Sequence, residues 1–243
     1  MRDTKFPCVA EARGAVGKAL RVALRSDIPL PRVEPRESGI SFLMNPRRRQ
    51  VYVHVAHEPG THLRRAARSL GIPTQSLRWH VQVLLAAQLI RETRIRGRAA
   101  YFCEGLVEAG DEVFFVCLQD PMNQKIWRAL LRTGSLVQAE LVRRVGSYEQ
   151  HVTPHLRWMV DAGLLTAARE VGHRVYRLAS ATERLEKRYA ASQEGRAERV
   201  LAVLRAQGLA PRIVSRAGSS LSVAVSSGQE STTLRFDLVP LPR

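Results

Sequence analysis

The chain has 243 residues, of which 45% are hydrophobic; this suffices for two or three small packed domains and argues against a wholly disordered protein. The net charge is +16, and all but four of the 38 basic residues are arginines. Because the planar guanidinium grips phosphate oxygens in pairs, this composition favours a nucleic acid or another acidic surface as partner, with arginine codon bias on a solvated basic surface as the alternative.

The N-terminal segment, residues 1–44, is predicted to precede the repeated part of the chain. Residues 1–26 mix Ala, Val and Leu with basic residues and predict an amphipathic helix. A proline-marked linker is expected over residues 27–39. This segment is a candidate for docking on the first domain or for dimerisation.

Residues 45–103, here called the first repeat, predict three helices followed by a β-hairpin. Pro46 stands where a first helical residue belongs, and Gly71 where a second helix ends. A third helix is expected to run to about Gln88. Two short strands follow, with Arg96-Gly97-Arg98 at the hairpin tip.

Residues 104–119 form a linker that is acidic and apolar. It holds four acidic residues and no basic ones. The linker therefore separates two segments that carry the positive charge of the chain.

Residues 120–178, the second repeat, match the first repeat at a spacing of 75 residues without a gap. The identical pairs include Pro46 and Pro121, Gly71 and Gly146, His80 and His155, and Gly97 and Gly172. A repeat of this length with both a helical and a strand pattern is a small domain rather than a solenoid unit. Trp127 and Trp158 of the second repeat are predicted to be core or interface residues.

The second repeat departs from the first in its third helix, where Pro154 replaces Trp79. Proline inside a helix costs about 3 kcal/mol, whereas Thr153 as a cap followed by proline at the first helical position is favourable. The sequence therefore predicts a helix that starts at Thr153 and is shortened at its far end by Gly163.

Residues 179–243 predict a small C-terminal αβββ module. Residues 181–207 are expected to form one or two helices, and residues 213–215, 221–225 and 232–238 to form three short strands. The module contains no ligand motif, and self-association or partner binding is its expected role.

Three helices, a glycine-containing turn and a β-hairpin make a helix-turn-helix with a wing. The segment GIPTQSLRWHVQVLLAAQLI of the first repeat resembles the winged helices of ArsR/MarR-type regulators. The repeats open with NPRRRQVYVHV and DPMNQKIWRAL, and their tandem arrangement resembles archaeal two-winged-helix transcription regulators. The resemblance covers about half the chain. It implies two tandem winged-helix domains and double-stranded DNA as the partner. Together with the C-terminal module predicted from its own pattern, this gives a mainly α fold with small β-hairpins (α+β).

The outer arc of the third helix in the first repeat holds the candidate base-reading residues. Gln pairs with adenine and Arg with guanine in the major groove, which an α-helix fits. We therefore predict that Gln75, Arg78 and Gln82 read bases, and that Ser76 and Trp79 set the register of the helix.

Phosphate contacts are predicted from basic and polar residues around this helix and in the second repeat. In the second repeat, the third helix keeps fewer candidate base-reading residues, namely His151, Thr153 and Arg157. The predicted phosphate contacts are Arg94, Arg96 and Arg98 of the first hairpin, Arg47, Arg48 and Arg49 of the first helix, and Arg169, His173 and Arg174 of the second hairpin. A hairpin tip cannot bury several arginines, and cations oppose the dipole at a helix N-terminus, so both groups indicate an external anion. A solvated charged face is the alternative. The first repeat has eleven arginines and two acidic residues, so we expect it to make most of the base contacts. The second repeat is expected mainly to add phosphate contacts or a partner surface.

The sequence does not show the residue patterns that a metal site or an enzyme active site requires. His54, His57, His62 and His80 suggest a metal cluster, but no cysteine or carboxylate set completes a site, and no metal or cofactor is predicted. No nucleophile triad, phosphate loop or carboxylate pair indicates an enzyme. Because His80 and His155 recur at one helical position, packing or a phosphate contact is their expected role.

Cysteine usage and hydropathy bear on the compartment. Cys8, Cys103 and Cys117 have neither disulfide-framework nor metal-ligand spacing, which fits a reducing compartment. The apolar run Val113–Leu118 is far shorter than a membrane span, and the N-terminus lacks the apolar core of a secretory signal. We therefore expect a cytoplasmic, nucleoid-associated protein.

The sequence thus predicts a non-enzymatic duplex DNA-binding protein that regulates transcription. Homodimerisation through the N- or C-terminal segments is a further expectation. Two alternatives stay open: an architectural or chromatin-type DNA binder without base preference, and a winged-helix adaptor that binds protein or RNA.

Overall fold

The computed structural model describes residues 42–241, and these form an α+β fold with three small antiparallel sheets. The helix predicted over residues 1–26 and the linker predicted over residues 27–39 lie outside the described residues. Within residues 42–241, every helix is too short or too polar to cross a membrane.

The first repeat folds as three helices followed by a two-stranded hairpin. Its elements are α1 (Pro46–His57), α2 (Leu63–Leu70), α3 (Thr74–Ala86), β1 (Ile90–Ile95) and β2 (Arg98–Cys103). Asn45 caps α1, because its Oδ1 accepts a hydrogen bond from the backbone N–H of Arg48 at 3.0 Å, and Pro46 is the first helical residue. Gly71 ends α2 in the left-handed conformation, with φ 63°.

The acidic linker is folded and is held by arginines of the same chain. It contains α4 (Glu112–Cys117), whose Phe114 and Phe115 are buried with the core of the second repeat. The ion pairs of the linker are Arg91 with Glu104 and Glu112, Arg188 with Asp111, and Arg196 and Arg199 with Glu108. Its acidic charge is therefore largely balanced within the molecule.

The second repeat carries the same elements 75 residues later, with one short strand added. They are α5 (Pro121–Thr133), β3 (Ser135–Val137), α6 (Gln138–Val145), α7 (Glu149–Asp161), β4 (Leu165–Glu170) and β5 (His173–Leu178). The strand order is β3-β5-β4. Where β3 pairs Leu136 with Tyr176, the first repeat has an isolated bridge between Thr61 and Tyr101.

The start predicted for the third helix of the second repeat is wrong. Helix α7 begins at Glu149 rather than at Thr153, and Pro154 lies inside it. Proline removes one hydrogen bond to the carbonyl four residues earlier, which belongs to the exposed residue Gln150. Val152 and Leu156 are fully buried, so packing on the core offsets the cost of the proline.

Gly163 does not shorten this helix, contrary to the prediction. Helices α3 and α7 have 13 residues each, and Gly163 occupies the same position after α7 as Gln88 does after α3. Both residues are left-handed, with φ 71° for Gly163 and 50° for Gln88. In the first repeat, the N–H of Leu89 reaches the carbonyl of Leu84 at 3.0 Å, which is the closing bond of a Schellman motif.

The C-terminal region has two helices and the three strands that were predicted. They are α8 (Ser180–Ala191), α9 (Gln193–Ala206), β6 (Ala210–Ala217), β7 (Ser220–Ser227) and β8 (Glu230–Asp237), in the antiparallel order β6-β7-β8. The sheet lies on α1, where the rings of Tyr52 and Phe236 meet edge to face with centroids 6.0 Å apart. Leu221, Val223 and Leu234 are buried in the core of the first repeat, so this sheet and that repeat share one core.

Alternate residues of β2 face two different cores. Tyr101 and Cys103 pack with the first repeat and the C-terminal sheet, whereas Ala100 and Phe102 pack with α4 and the second repeat. Because side chains alternate along a strand, β2 is buried on both faces. The first hairpin therefore joins the two repeats.

Candidate nucleic-acid interface

The outer face of α3 is exposed where the sequence predicted base-reading residues. Leu77, Val81 and Leu84 are buried and fix the orientation of the helix on the core. Among the predicted residues, Gln82 is half-buried and the others are exposed: Gln75, Ser76, Arg78 and Trp79. Since α3 contains no acidic residue, this face is polar and basic.

One face of the first hairpin continues this surface. Glu92 lies opposite Tyr101 in the hairpin, and Arg94 lies opposite Ala99, two residues nearer the tip and on the same face. Burial and the Glu92 carboxylate raise the pKa of Tyr101 to about 12, and the positive charges of Arg78 and Arg94 oppose this rise. Helix α3 packs against β1, so the strand that carries Arg94 adjoins the helix that carries Arg78. The Arg94 side chain is 79% exposed.

The tip of the first hairpin is turned toward the second repeat. The guanidinium carbon of Arg96 lies 4.6 Å from the ring centroid of Trp158 in α7, within cation–π range. Arg98 is exposed, and strand alternation places it on the hairpin face opposite Arg94. The structure therefore divides the predicted cluster of three arginines between two faces and an inter-repeat contact. Trp158 lies between the repeats, as predicted.

The three arginines that open α1 lie in different environments. Arg47 is exposed, and Arg49 is half-buried and donates to a backbone carbonyl at 3.3 Å. Arg48 is only 4% exposed. Its guanidinium carbon lies 5.1 Å from the ring centroid of Trp79 and 5.7 Å from that of Phe42. The prediction that Arg48 contacts phosphate is therefore wrong, because this side chain supports Trp79 from within the fold.

The same position is a buried polar residue in the second repeat. Asn123, the counterpart of Arg48, is 1% exposed, and its Nδ2 donates to the carbonyl of Cys117 at 2.7 Å. Arg48 makes the matching bond to the carbonyl of Phe42, at 3.4 Å. In both repeats, therefore, a buried side chain of the first helix donates a hydrogen bond to the backbone carbonyl at the matching position before that helix.

The histidines that recur in the third helices are packing residues. Nδ1 of His155 donates a hydrogen bond to Oδ1 of Asn123 at 2.8 Å. His80 is buried, and its ring lies edge-on to that of Trp79 with centroids 5.0 Å apart. Burial, and then the charges of Arg48 and Arg47, lower the pKa of His80. Of the two expected roles, packing fits and a phosphate contact does not.

The outer face of α7 is less basic than that of α3. His151 and Arg157 are exposed. Thr153 is half-buried and donates to the carbonyl of Glu149 at 2.8 Å, and Gln138 donates to the Glu149 carboxylate at 2.8 Å. The polar groups at the start of this helix are therefore engaged with each other, and Glu149 adds a negative charge.

The second hairpin exposes the residues predicted to contact phosphate. Arg169, His173 and Arg174 are all exposed near its tip. The tip itself is Val171-Gly172, and Val171 occupies the position of Arg96 in the first repeat.

Two exposed arginines were missed by the sequence analysis. Arg64 and Arg68 lie one turn apart on α2 and are both exposed. Arg65 between them is bound to Glu58 and to the carbonyl of Gln119. The sequence could have identified them, because the helical period places Arg64 and Arg68 outside the apolar face of α2.

Histidine and cysteine side chains are the possible metal ligands and redox groups of the chain. Within residues 42–241, no three His, Cys, Asp or Glu side chains group to hold a metal ion. Cys103 and Cys117 are buried free thiols. Burial raises the pKa of Cys103 strongly and that of Cys117 to about 12, so both thiols are protonated at neutral pH.

Comparison with protein-family models finds no match. Among curated proteins, the chain is similar to an uncharacterized HTH-type transcriptional regulator of Methanocaldococcus jannaschii, with 23% identity over 134 residues. The aligned region covers 55% of this chain and 34% of that protein, so it spans about a third of the relative's length. The distant similarity is thus to a helix-turn-helix regulator.

Proposed function

We propose that the chain is a duplex DNA-binding transcription regulator and that its two repeats are winged-helix domains in tandem. The observation that carries the proposal is that α3 exposes Gln75 and Arg78 and packs beside the hairpin strand that exposes Arg94. The similarity to an HTH-type transcriptional regulator supports the same function. The chain acts by binding alone, and the nucleoid is its place of action.

Helix α3 lies in the major groove in this proposal. Gln75 pairs with adenine and Arg78 with guanine, each through two hydrogen bonds, and Gln82 reaches the edge of the site. Ser76 and Trp79 set the register. Trp79 suits this role because the guanidinium of Arg48 supports its ring from the protein side.

Phosphate contacts come from the exposed arginines around α3. They are Arg47 of α1, Arg64 and Arg68 of α2, and Arg94 of the first hairpin, joined by Arg98 on the opposite hairpin face, which packs toward the second repeat. Such contacts position the helix on the duplex without reading its sequence. Arg48 is excluded from this set because it is buried.

The second repeat extends the footprint and adds phosphate contacts through Arg157, Arg169 and Arg174. Strand β2 and the contact of Arg96 with Trp158 hold it against the first repeat. The two third helices therefore meet the duplex as one body rather than as two tethered domains. Homodimerisation through the terminal segments stays a prediction.

Selection of bound fragments from a random duplex library tests this function. The wild-type chain should enrich a common sequence, and Gln75→Ala or Arg78→Ala should change that sequence. Arg98→Ala is the matched control, and it should weaken binding to all duplexes alike while leaving the preference unchanged.

The alternatives give other outcomes in the same selection. Binding without enrichment of any common sequence identifies an architectural DNA binder. An absence of duplex binding by the wild-type chain contradicts the proposal and leaves the protein or RNA adaptor.

A further inference from the structure

We infer that Val171, at the tip of the second hairpin, is an apolar wedge that enters the minor groove and bends the duplex. The inference rests on the proposed function and extends it, because it assigns the second repeat a deforming role that the first repeat lacks.

Val171 stands where neither packing nor turn chemistry explains it. The hairpin tip is a two-residue turn in which Val171 has φ 46° and Gly172 has φ 80°. Such turns favour Asn, Asp or Gly at the first position, and a β-branched side chain with positive φ is strained. The side chain is also 98% exposed. Backbone strain of this kind persists chiefly where a functional contact uses it.

The matching tip of the first repeat shows what such a residue can do. Arg96 also has a positive φ, 51°, and it also precedes a glycine. Its side chain has a contact inside the molecule, the ring of Trp158. Val171 instead projects into solvent, so a contact outside the molecule is the remaining use for it.

The charges beside Val171 indicate that this contact is with a polyanion. Arg169 and Arg174 lie directly opposite each other on the two strands, and both are exposed. Like charges in that arrangement destabilise a hairpin unless an anion lies between them. Arg174 also lies 5.6 Å from the ring of Tyr176. The nearby acidic residue, Glu170, is on the other hairpin face and is paired with Arg177 at 2.5 Å.

These features fit the minor groove of DNA. A narrow minor groove attracts arginine, and apolar side chains that enter it unstack a base step and bend the duplex toward the major groove. In this arrangement Arg169 and Arg174 hold the flanking phosphates, and Val171 enters between two bases. Because the β-branched side chain of Val171 has few χ1 rotamers, it presents a narrow apolar point to the groove.

Bending is measured as energy transfer between dyes at the ends of a 30-base-pair duplex with a central TA step, which is easily unstacked. Wild-type protein should raise the transfer, and Val171→Asn should abolish most of that rise. Affinity should fall about tenfold, the expected cost of leaving one valine side chain unburied. Val171→Ile should retain the bend. Val214→Asn is the matched control, because it replaces an exposed valine of β6 and should leave bending unchanged.

Thermal unfolding separates this role from a structural one. Asn tolerates positive φ, so Val171→Asn should raise the unfolding midpoint by about 1–3 °C while it lowers DNA affinity. A more stable variant that bends DNA as wild type does overturns the inference, as does a wild-type chain that binds without bending. If the wild-type chain binds no duplex at all, the proposed function fails as well.

Discussion

The two repeats share their buried framework and differ in their outer faces. Their helices and hairpin strands begin 75 residues apart throughout, and the recurring histidines lie at the same helical position. At the outer face, Arg78 of α3 is matched by half-buried Thr153 of α7, and Trp79 by Pro154. The comparison teaches that the duplication retained a scaffold, while the chemistry that would read DNA is concentrated in one copy.

The sharpest difference between the repeats should appear in DNA binding. Arg78→Ala removes the proposed base contact, worth about 1–3 kcal/mol, so affinity for the selected sequence should fall about 10- to 100-fold, with little loss on unrelated sequences. Arg157→Ala, in the second repeat, should weaken all duplexes alike and by less. Fluorescence anisotropy titrations with selected and scrambled duplexes measure both. If both variants lost the same affinity for the selected and the scrambled duplex, the proposed difference between the two repeats would be contradicted.

The buried framework is tested at Asn123. Asn123→Ala leaves His155 and the carbonyl of Cys117 without their partner, and should lower the free energy of unfolding by about 2 kcal/mol. The exposed Arg47 serves as the control, since Arg47→Ala should change stability by less than about 0.5 kcal/mol. Urea denaturation measures both changes. A neutral Asn123→Ala would mean that these hydrogen bonds contribute nothing.

The helix ends give a reciprocal pair of substitutions. Gln88→Gly should stabilise the first repeat by about 0.5–1 kcal/mol, because glycine adopts the left-handed conformation at this position without strain. Gly163→Gln should destabilise the second repeat by a similar amount. Thermal unfolding of the two single variants provides the measurement. Changes of the same sign in both would contradict the shared motif.

The smallest expected effect is a pH dependence of stability from His80. Its pKa is lowered in the folded state from the ordinary value of 6.5, so the unfolded chain takes up the proton first. The contribution of His80 is therefore complete above pH 6.5 and is lost as the pH falls below it. Denaturant titrations at several pH values should show this decline, and His80→Gln should reduce it. If the free energy of unfolding of His80→Gln fell with pH as steeply as that of the wild type, His80 would be ruled out as the source of the decline.

Much of the fold could be predicted because the duplication shows each element twice. Pro46 and Pro121 mark helix starts, and Gly71 and Gly146 mark helix ends. Pro154 misled the prediction, since local propensity places the start of α7 after position 152, while burial of Val152 and Leu156 holds the earlier start. Propensity is a local quantity, and packing is not.

The candidate site could be predicted in part. The outward positions of Gln75 and Arg78 follow from the helical period alone. The burial of Arg48 does not, because it depends on Phe42 and Trp79 meeting around the guanidinium. The contact of Arg96 with Trp158 depends on how the repeats pack, which no local pattern encodes.

The salt dependence of duplex binding tests the central claim most directly. If the exposed arginines around α3 and the second hairpin neutralise five to seven phosphates, log affinity should fall against log salt concentration with a slope of about −5 to −6. Arg94→Ala plus Arg98→Ala should make that slope shallower by about 2. A nearly flat slope for the wild-type chain would contradict the account.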